Sequence, residues 1–342
     1  MCGSARLSAC RAKSGENDVL CAAETGERKV STRRPVIVVL GSLHLDILVK
    51  APDRPRKGET LRGSAWALSP GGKGGNQAAC AARQGPDVYM VGRVGCDDFG
   101  NRLMDALRTA GVYTDYVLCD DSGGSGMSVA IIDEQGDYGA IIVSGVNMHI
   151  GEDDIRRAGD VIASADCLLL QYEIPLDTVR AAAQYAHQRG VRVILNAAPA
   201  YPAPEHLLEY VDVLIVNEVE AEMLTGYSLE TLSQAEQALH ALSRLVPTVL
   251  LTLGAKGVYV ADPETGISHL PAHSVPVVDT HGAGDAFIGA FSARMAWGDT
   301  LLEAVRYANA AGALMVMHAG PQSDDVTPDR IRAFLSGTTP GG

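Results

Sequence analysis

Residues 36–40 read Val-Ile-Val-Val-Leu, a short and unbroken apolar run. Such a run predicts a strand covered on both faces, the habit of parallel sheets whose crossover helices lie on either side. The pattern returns at CLLLQ (167–171), VRVILN (191–196), DVLIVN (212–217) and TVLLTL (248–253), with helix-like stretches such as PLDTVRAAAQYAHQRG and SQAEQALHALSRLV between them. This rhythm predicts an α/β fold: a doubly wound, mostly parallel central sheet with helices on both faces. Ligands of such sheets bind beyond the carboxyl ends of the strands. Asp46, Glu173, Asn196, Asn217 and Thr252 follow or end apolar strands and are expected to gather on that rim.

Two segments break the rhythm. LVKAPDRPRKGETLRGSAWAL (48–68) and GMSVAIIDEQGDYGAIIV (126–143) read as β-ribbons, the second a hairpin turning at Glu134–Asp137. Residues 1–35 mix charges and small residues without a continuous apolar region, and are expected to form a disordered N-terminal extension. The folded domain is expected over 36–336, with 337–342 as a C-terminal tail.

The 342 residues carry a net charge of −13, from 28 basic and 41 acidic side chains, which disfavours a nucleic-acid partner. Aromatic content of 5% also argues against a base-stacking platform. No apolar run approaches the roughly 20 residues that cross a bilayer. Seven cysteines (2, 10, 21, 80, 96, 119, 167) show no CxxC spacing, which fits a reduced cytoplasmic location better than a disulfide framework or a zinc site.

Chemistry concentrates in two glycine-bearing segments. Asp279 to Phe287 reads Asp-Thr-His-Gly-Ala-Gly-Asp-Ala-Phe and runs into the helix-like AFIGAFSARMAW. Amides at a helix start attract anions, and glycines let a phosphate approach the backbone. A carboxylate at that place, Asp285, suggests phosphoryl transfer to a hydroxyl with Asp285 as base; a helix-capping Asp in a tight turn is the alternative. Far upstream, Pro70 to Gln77 reads Pro-Gly-Gly-Lys-Gly-Gly-Asn-Gln. It is neither a P-loop nor a dinucleotide fingerprint, since GxxxxGK[ST] and G-x-G-x-x-G are both absent there. Lys73 and Asn76 supply donors among glycines that permit close backbone approach.

GGKGGN and DTHGAGD together resemble the two signature segments of the ribokinase family of PfkB-type carbohydrate kinases. Matches between them fall in the same order: Gly41-Ser42-x-x-x-Asp46, Glu173 in LLLQYEIPLD, Asn196-Ala-Ala-Pro-Ala, Asn217-Glu-x-Glu220 and Thr252-Leu-Gly-Ala-Lys-Gly257. The resemblance covers roughly residues 36 to 336. It implies transfer of the ATP γ-phosphoryl group to a primary hydroxyl of a small sugar, most readily D-ribose to ribose 5-phosphate. Asp285 would be the general base, and Gly282, Ala283 and Gly284 the anion hole. Two like charges about 4 Å apart repel by roughly 4 kcal/mol at an effective dielectric near 20, so the amides and Mg²⁺ must offset the carboxylate beside polyphosphate.

By the same resemblance Asp46, His44, Gly72, Lys73, Asn76 and Glu173 would contact the sugar. Asn196, Asn217, Thr252, Gly254, Lys256, Gly257, Gly284 and Asn309 would face the nucleotide. Glu220 would organise Mg²⁺ through water. A monovalent cation, K⁺, would take the Asp279 carboxylate and backbone carbonyls at His281, Met315, His318 and Gly320, with Asp324 where ribokinases often carry Ser. The two ribbons would form a β-sheet lid through which relatives pair as homodimers. His44 stands where ribokinases commonly carry Asn, which leaves ketohexoses, deoxy sugars and nucleosides open as acceptors. For a nucleoside, Trp66 and Tyr138 are the only large aromatics in the lid segments. A sugar-binding protein without catalysis is the reading from another class, and the intact GAGD turn argues against it.

Overall fold

The structure, a computed structural model, describes residues 33–133, 138–318, 320, 322 and 324–337. The expected extension, the C-terminal tail and the hairpin turn at 134–137 lie almost wholly outside the described residues. The elements below all belong to one unit, Arg34–Gly342.

Among the described residues thirteen strands are formed: β1 (Val36–Leu40), β2 (His44–Lys50), β3 (Ala65–Gly71), β4 (Asp87–Gly95), β5 (Val112–Asp120), β6 (Gly126–Ile132), β7 (Tyr138–Val143), β8 (Cys167–Leu170), β9 (Arg192–Asn196), β10 (Val213–Asn217), β11 (Thr248–Thr252), β12 (Val258–Asp262) and β13 (Gly266–Leu270). Nine of them make the central sheet in the order β13-β12-β11-β10-β9-β8-β1-β4-β5. Pairing is parallel from β11 through β5 and antiparallel only for β12 and β13. The strand order reverses around β1, as in doubly wound sheets.

Alternation along each strand explains why both faces are covered. Ile37 and Val39 of β1 join one core with Cys167, Leu169 and Ile215, under Phe287 and Phe291 of the helix Ala283–Ala296. Val38 and Leu40 join the other core with Leu168, Leu170 and Leu214, under Val179 and Ala183 of the helix Leu176–His187. Ile37 to Leu40 have no exposed surface. Each such side chain contributes about 1.5–3 kcal/mol over leaving it in water, so the unbroken apolar run follows from burial on two sides.

The second sheet has the order β3-β2-β6-β7. β2 pairs antiparallel to β3 and parallel to β6, and β6 pairs antiparallel to β7. Its first ribbon starts at His44, and residues 51–64 between β2 and β3 carry no strand. Asp46 therefore lies inside a lid strand rather than on the rim of the main sheet. By register His44, Asp46, Ser69 and Ser128 share one face of this sheet, and Ile47, Val49, Trp66, Val129 and Ile141 share the other.

The cysteine reading needs one correction. Cys96 and Cys119 are disulfide-bonded, with Cα atoms 5.2 Å apart. Parallel pairing of β4 with β5 sets Gly95 opposite Asp120, which brings Cys96 beside Cys119 across 23 residues, a proximity no local spacing reveals. Cys80 and Cys167 are free and buried. Among the described residues no helix is long and apolar enough to cross a membrane.

Candidate active site

The first glycine segment forms the end of β3 and the start of the helix Lys73–Arg83. Gly72 precedes that helix at φ 83°, a conformation that L side chains rarely adopt, which accounts for glycine there. The helix has no capping side chain of its own. Glu173, arriving from the turn after β8, accepts from the Lys73 backbone N–H at 2.9 Å and from Ser42 Oγ. His44 Nδ1 lies 3.8 Å from the same carboxylate, and His44 Nε2 is buried without a hydrogen-bond partner among the described residues. Asp46 accepts from Ser128 Oγ across the lid sheet. Burial raises the Asp46 pKa despite that bond and the nearby His44 and His281 rings.

The second segment turns at Gly282, left-handed at φ 74°, directly before the helix Ala283–Ala296. Asp285 lies in the first turn of this helix. Its Oδ2 accepts from Asn76 Nδ2 at 3.0 Å and its Oδ1 from Gln77 Nε2 at 2.9 Å. The two glycine bends therefore meet. Burial pushes the Asp285 carboxyl above the usual range, against the opposing pull of Lys73, Gln77 and Asn76. Lys73 is the cation of the site. Burial pulls its ammonium down, but Asp285, Glu173 and Glu220 together outweigh that and hold it above the ordinary lysine value.

On the other side of Asp285, Gln77 Nε2 also donates to Asn196 Oδ1 at 3.1 Å, at the end of β9. Asn217 and Glu220 form a reciprocal capping box at the start of the helix Glu218–Thr225. The Asn217 N–H and Nδ2 donate to Glu220, and the Glu220 N–H donates back. Glu220 is nonetheless buried toward the site, and its pKa is raised by that burial while Lys73 opposes it. Asn217 and Thr252 stand in register at the ends of β10 and β11. Gly254 and Lys256 are exposed, Gly257 closes their turn at φ 93°, and Asn309 Nδ2 holds the Pro271 carbonyl at 2.8 Å.

Among the described residues no group of three or more His, Cys, Asp or Glu is placed to hold a metal. The donor set fits Mg²⁺ held largely by water and phosphate, with Glu220 as a buried carboxylate nearby. For the monovalent cation, Asp279 accepts the backbone N–H groups of His281 and Gly320, each at 2.9 Å, and so ties the two predicted carbonyl-bearing segments together. The Met315 carbonyl accepts from the His318 N–H. Asp324 does not join this group. Its carboxylate lies in solvent and pairs with Arg83 at 2.8 Å, because a guanidinium is within reach there.

Three amides that sequence reasoning did not single out belong to the site. Gln77 touches Asp285, Gln171 Nε2 donates to Gln77 Oε1 at 2.7 Å, and Gln322 Nε2 donates to Asn76 Oδ1 at 3.0 Å. Gln77 lay inside the glycine motif, one residue beyond Asn76. Gln171 and Gln322 carried no local signal.

Residues 35–328 match the family model described as pfkB family carbohydrate kinase. A ribokinase of Haemophilus influenzae is 36% identical over 88% of this chain and 99% of its own length. A deoxyribokinase of Salmonella typhimurium is 31% identical over 88% and 98%. The structure of Arabidopsis thaliana ribokinase complexed with ribose and ATP superposes with a TM-score of 0.82 at 34% identity, covering 89% of this chain and 99% of that one. With two signature bends joined at one carboxylate and relatives matched along nearly their whole length, the chain belongs to the pfkB family of carbohydrate kinases.

Proposed function

We propose that this ATP-dependent sugar kinase transfers the γ-phosphoryl group to the primary hydroxyl of D-ribose, with Asp285 accepting the hydroxyl proton. The observation that carries this reading is the double hydrogen bond from Asn76 and Gln77 to Asp285, which joins the acceptor-side loop to the anion-binding helix start. Orientation by these two amides leaves the carboxylate's remaining lone pairs for the substrate hydroxyl. A base whose pKa lies above the ordinary carboxylate range takes that proton more readily. The relative solved with ribose and ATP supports both substrates.

In this reading Asp46, His44, Gly72, Lys73, Asn76 and Glu173 bind the sugar, and the lid face bearing His44 and Asp46 covers it. The backbone of Gly282, Ala283 and Gly284 receives the transferring phosphoryl group, since the first amides of a helix lack intrahelical partners. Asn196, Asn217, Thr252, the Gly254–Gly257 turn and Asn309 line the nucleotide side. Mg²⁺, when bound near Glu220, neutralises phosphate charge. K⁺ at Asp279 would stiffen the turn that ends in the anion hole; equal rates in K⁺, Na⁺ and neither would remove that part.

A second reading, a kinase for a different small sugar, is favoured by one observation. The His44 Nε2 is buried and unpaired, so an acceptor with another hydroxyl pattern could be the one that satisfies it. The test is a coupled ADP-release assay across ribose, deoxyribose, ketohexoses and nucleosides. The highest kcat/KM with D-ribose is expected; a preference of tenfold or more for another acceptor would replace ribose by it.

A further inference from the structure

We propose that Gln77 is the positioning residue of the transfer step, holding the Asp285 carboxylate against the nucleotide-side Asn196 in an orientation that Gln171 dictates. This rests on the reading of Asp285 as base. Gln77 and Gln171 have no exposed surface and Asn196 is 5% exposed. Every polar group of the Gln77 amide is used: Nε2 donates to Asp285 Oδ1 at 2.9 Å and to Asn196 Oδ1 at 3.1 Å, and Oε1 accepts from Gln171 Nε2 at 2.7 Å.

The two ends of a primary amide are nearly the same size, so packing alone does not choose between them. With the amide reversed, Gln77 would present an oxygen to two other oxygens, those of Asp285 and Asn196. The donor from Gln171 forbids the reversal, because it requires an acceptor at that end. Gln171 pays for this arrangement with its own carbonyl oxygen, Oε1, which is buried without a hydrogen-bond partner among the described residues. An orphaned buried acceptor is uncommon and calls for an explanation. Here turning Gln171 over would set its own oxygen against Gln77 Oε1 and release Gln77. The space for that oxygen comes from Gly41, where a Cβ would lie 2.0 Å from it.

Gln77 thus stands between the acid on the acceptor side and an asparagine on the nucleotide side, with no contact to solvent. The charged and titratable groups around Asp285 are Lys73 and Cys80 on the helix that carries Gln77, Glu173 after β8, and Glu220 after β10. None of them is altered by substitution of Gln77 or Gln171.

The experiment compares Gln77→Leu and Gln171→Leu with the native enzyme, using ATP, Mg²⁺ and the best acceptor sugar. Loss of the donor from Gln77 should lower kcat by about 10–100-fold, the range typical when a group that orients a reactive ligand is removed. KM for sugar and for ATP should stay within about threefold. Without that donor the charged carboxylate is less favoured, so the acid limb of the kcat–pH profile should move up by about one unit. Gln171→Leu, which frees the amide to turn, should produce a smaller shift of the same sign. In an Asp285→Asn background Gln77→Leu should cause no further loss, because both act through one carboxylate. An unmoved acid limb in both variants, or a full additional loss in the double variant, overturns the proposal. If Gln77→Leu does not fold, Gln171→Leu decides by the same limb. Near-normal turnover of Asp285→Asn alone would instead defeat the base assignment.

Discussion

Asn76 Nδ2 donates to Asp285 Oδ2 at 3.0 Å, although 209 residues separate the two in sequence. The bond links the helix that begins in the first glycine bend to the helix that begins in the second. Each bend alone is an ordinary helix start. Joined, they set a carboxylate, an ammonium from Lys73 and a row of helix-start amides around one point where the parallel strands end. The burial that creates this point also raises the pKa of Asp285, Asp46 and Glu220, each against partners that pull it down.

Replacing Asp285 by Asn should reduce kcat at least 10²–10⁴-fold, the usual cost of losing a positioned base. Sugar and ATP should still bind, as titration calorimetry would read.

Lys73 lowers the Asp285 pKa, so removing its charge must move the base upward. In Lys73→Met the acid limb of the kcat–pH profile should shift to higher pH, with kcat recovering toward its plateau as pH is raised. The KM for sugar should rise as well, because Lys73 also stands at the acceptor side. A limb that stays in place would show that the ammonium does not act on Asp285.

Gly71 ends β3 beside the lid carboxylate. A Cβ at this position would lie 2.1 Å from Asp46 Oδ2, so alanine must displace the acid. A hydrogen bond to a charged group contributes about 1.5–3 kcal/mol, which corresponds to roughly 10–100-fold in affinity. Gly71→Ala should raise the sugar KM within that range and leave the ATP KM unchanged. Equal effects on both substrates would mean that Asp46 does not bind the sugar.

The central sheet was legible because burial on two faces writes itself as apolar runs, and β1 was read to the residue. The lid was legible as ribbons: the second has the limits of β6 and β7, 126 and 143, whereas the first runs from His44 to Gly71 rather than over 48–68. Asp46 reads from the sequence as a rim residue following an apolar strand, since polar residues inside a strand break an apolar run without marking its end. The two glycine bends were readable through their residue types. The amides that tie them together were not. Gln171 sits between an apolar strand and Tyr172, and its partner is 94 residues away. Asp324 misled for the converse reason: a carboxylate near a predicted cation site looks like a ligand until Arg83, 241 residues earlier, is found beside it.

One face of the lid exposes large apolar side chains. Trp66 is 70% exposed and Ile141 73%, and register sets both on the face opposite His44 and Asp46. Covering this face with the same face of a second copy would bury both while leaving the sugar side of the lid open to substrate. The wild-type chain should then sediment as a dimer. Ile141→Lys puts a charge into the centre of that contact and should yield monomers at micromolar concentration, without altering the hydrogen bonds around Asp285. Because the lid would lose its support, sugar KM should rise more than kcat falls. A wild-type chain that remains monomeric at all concentrations would remove the lid as an interface.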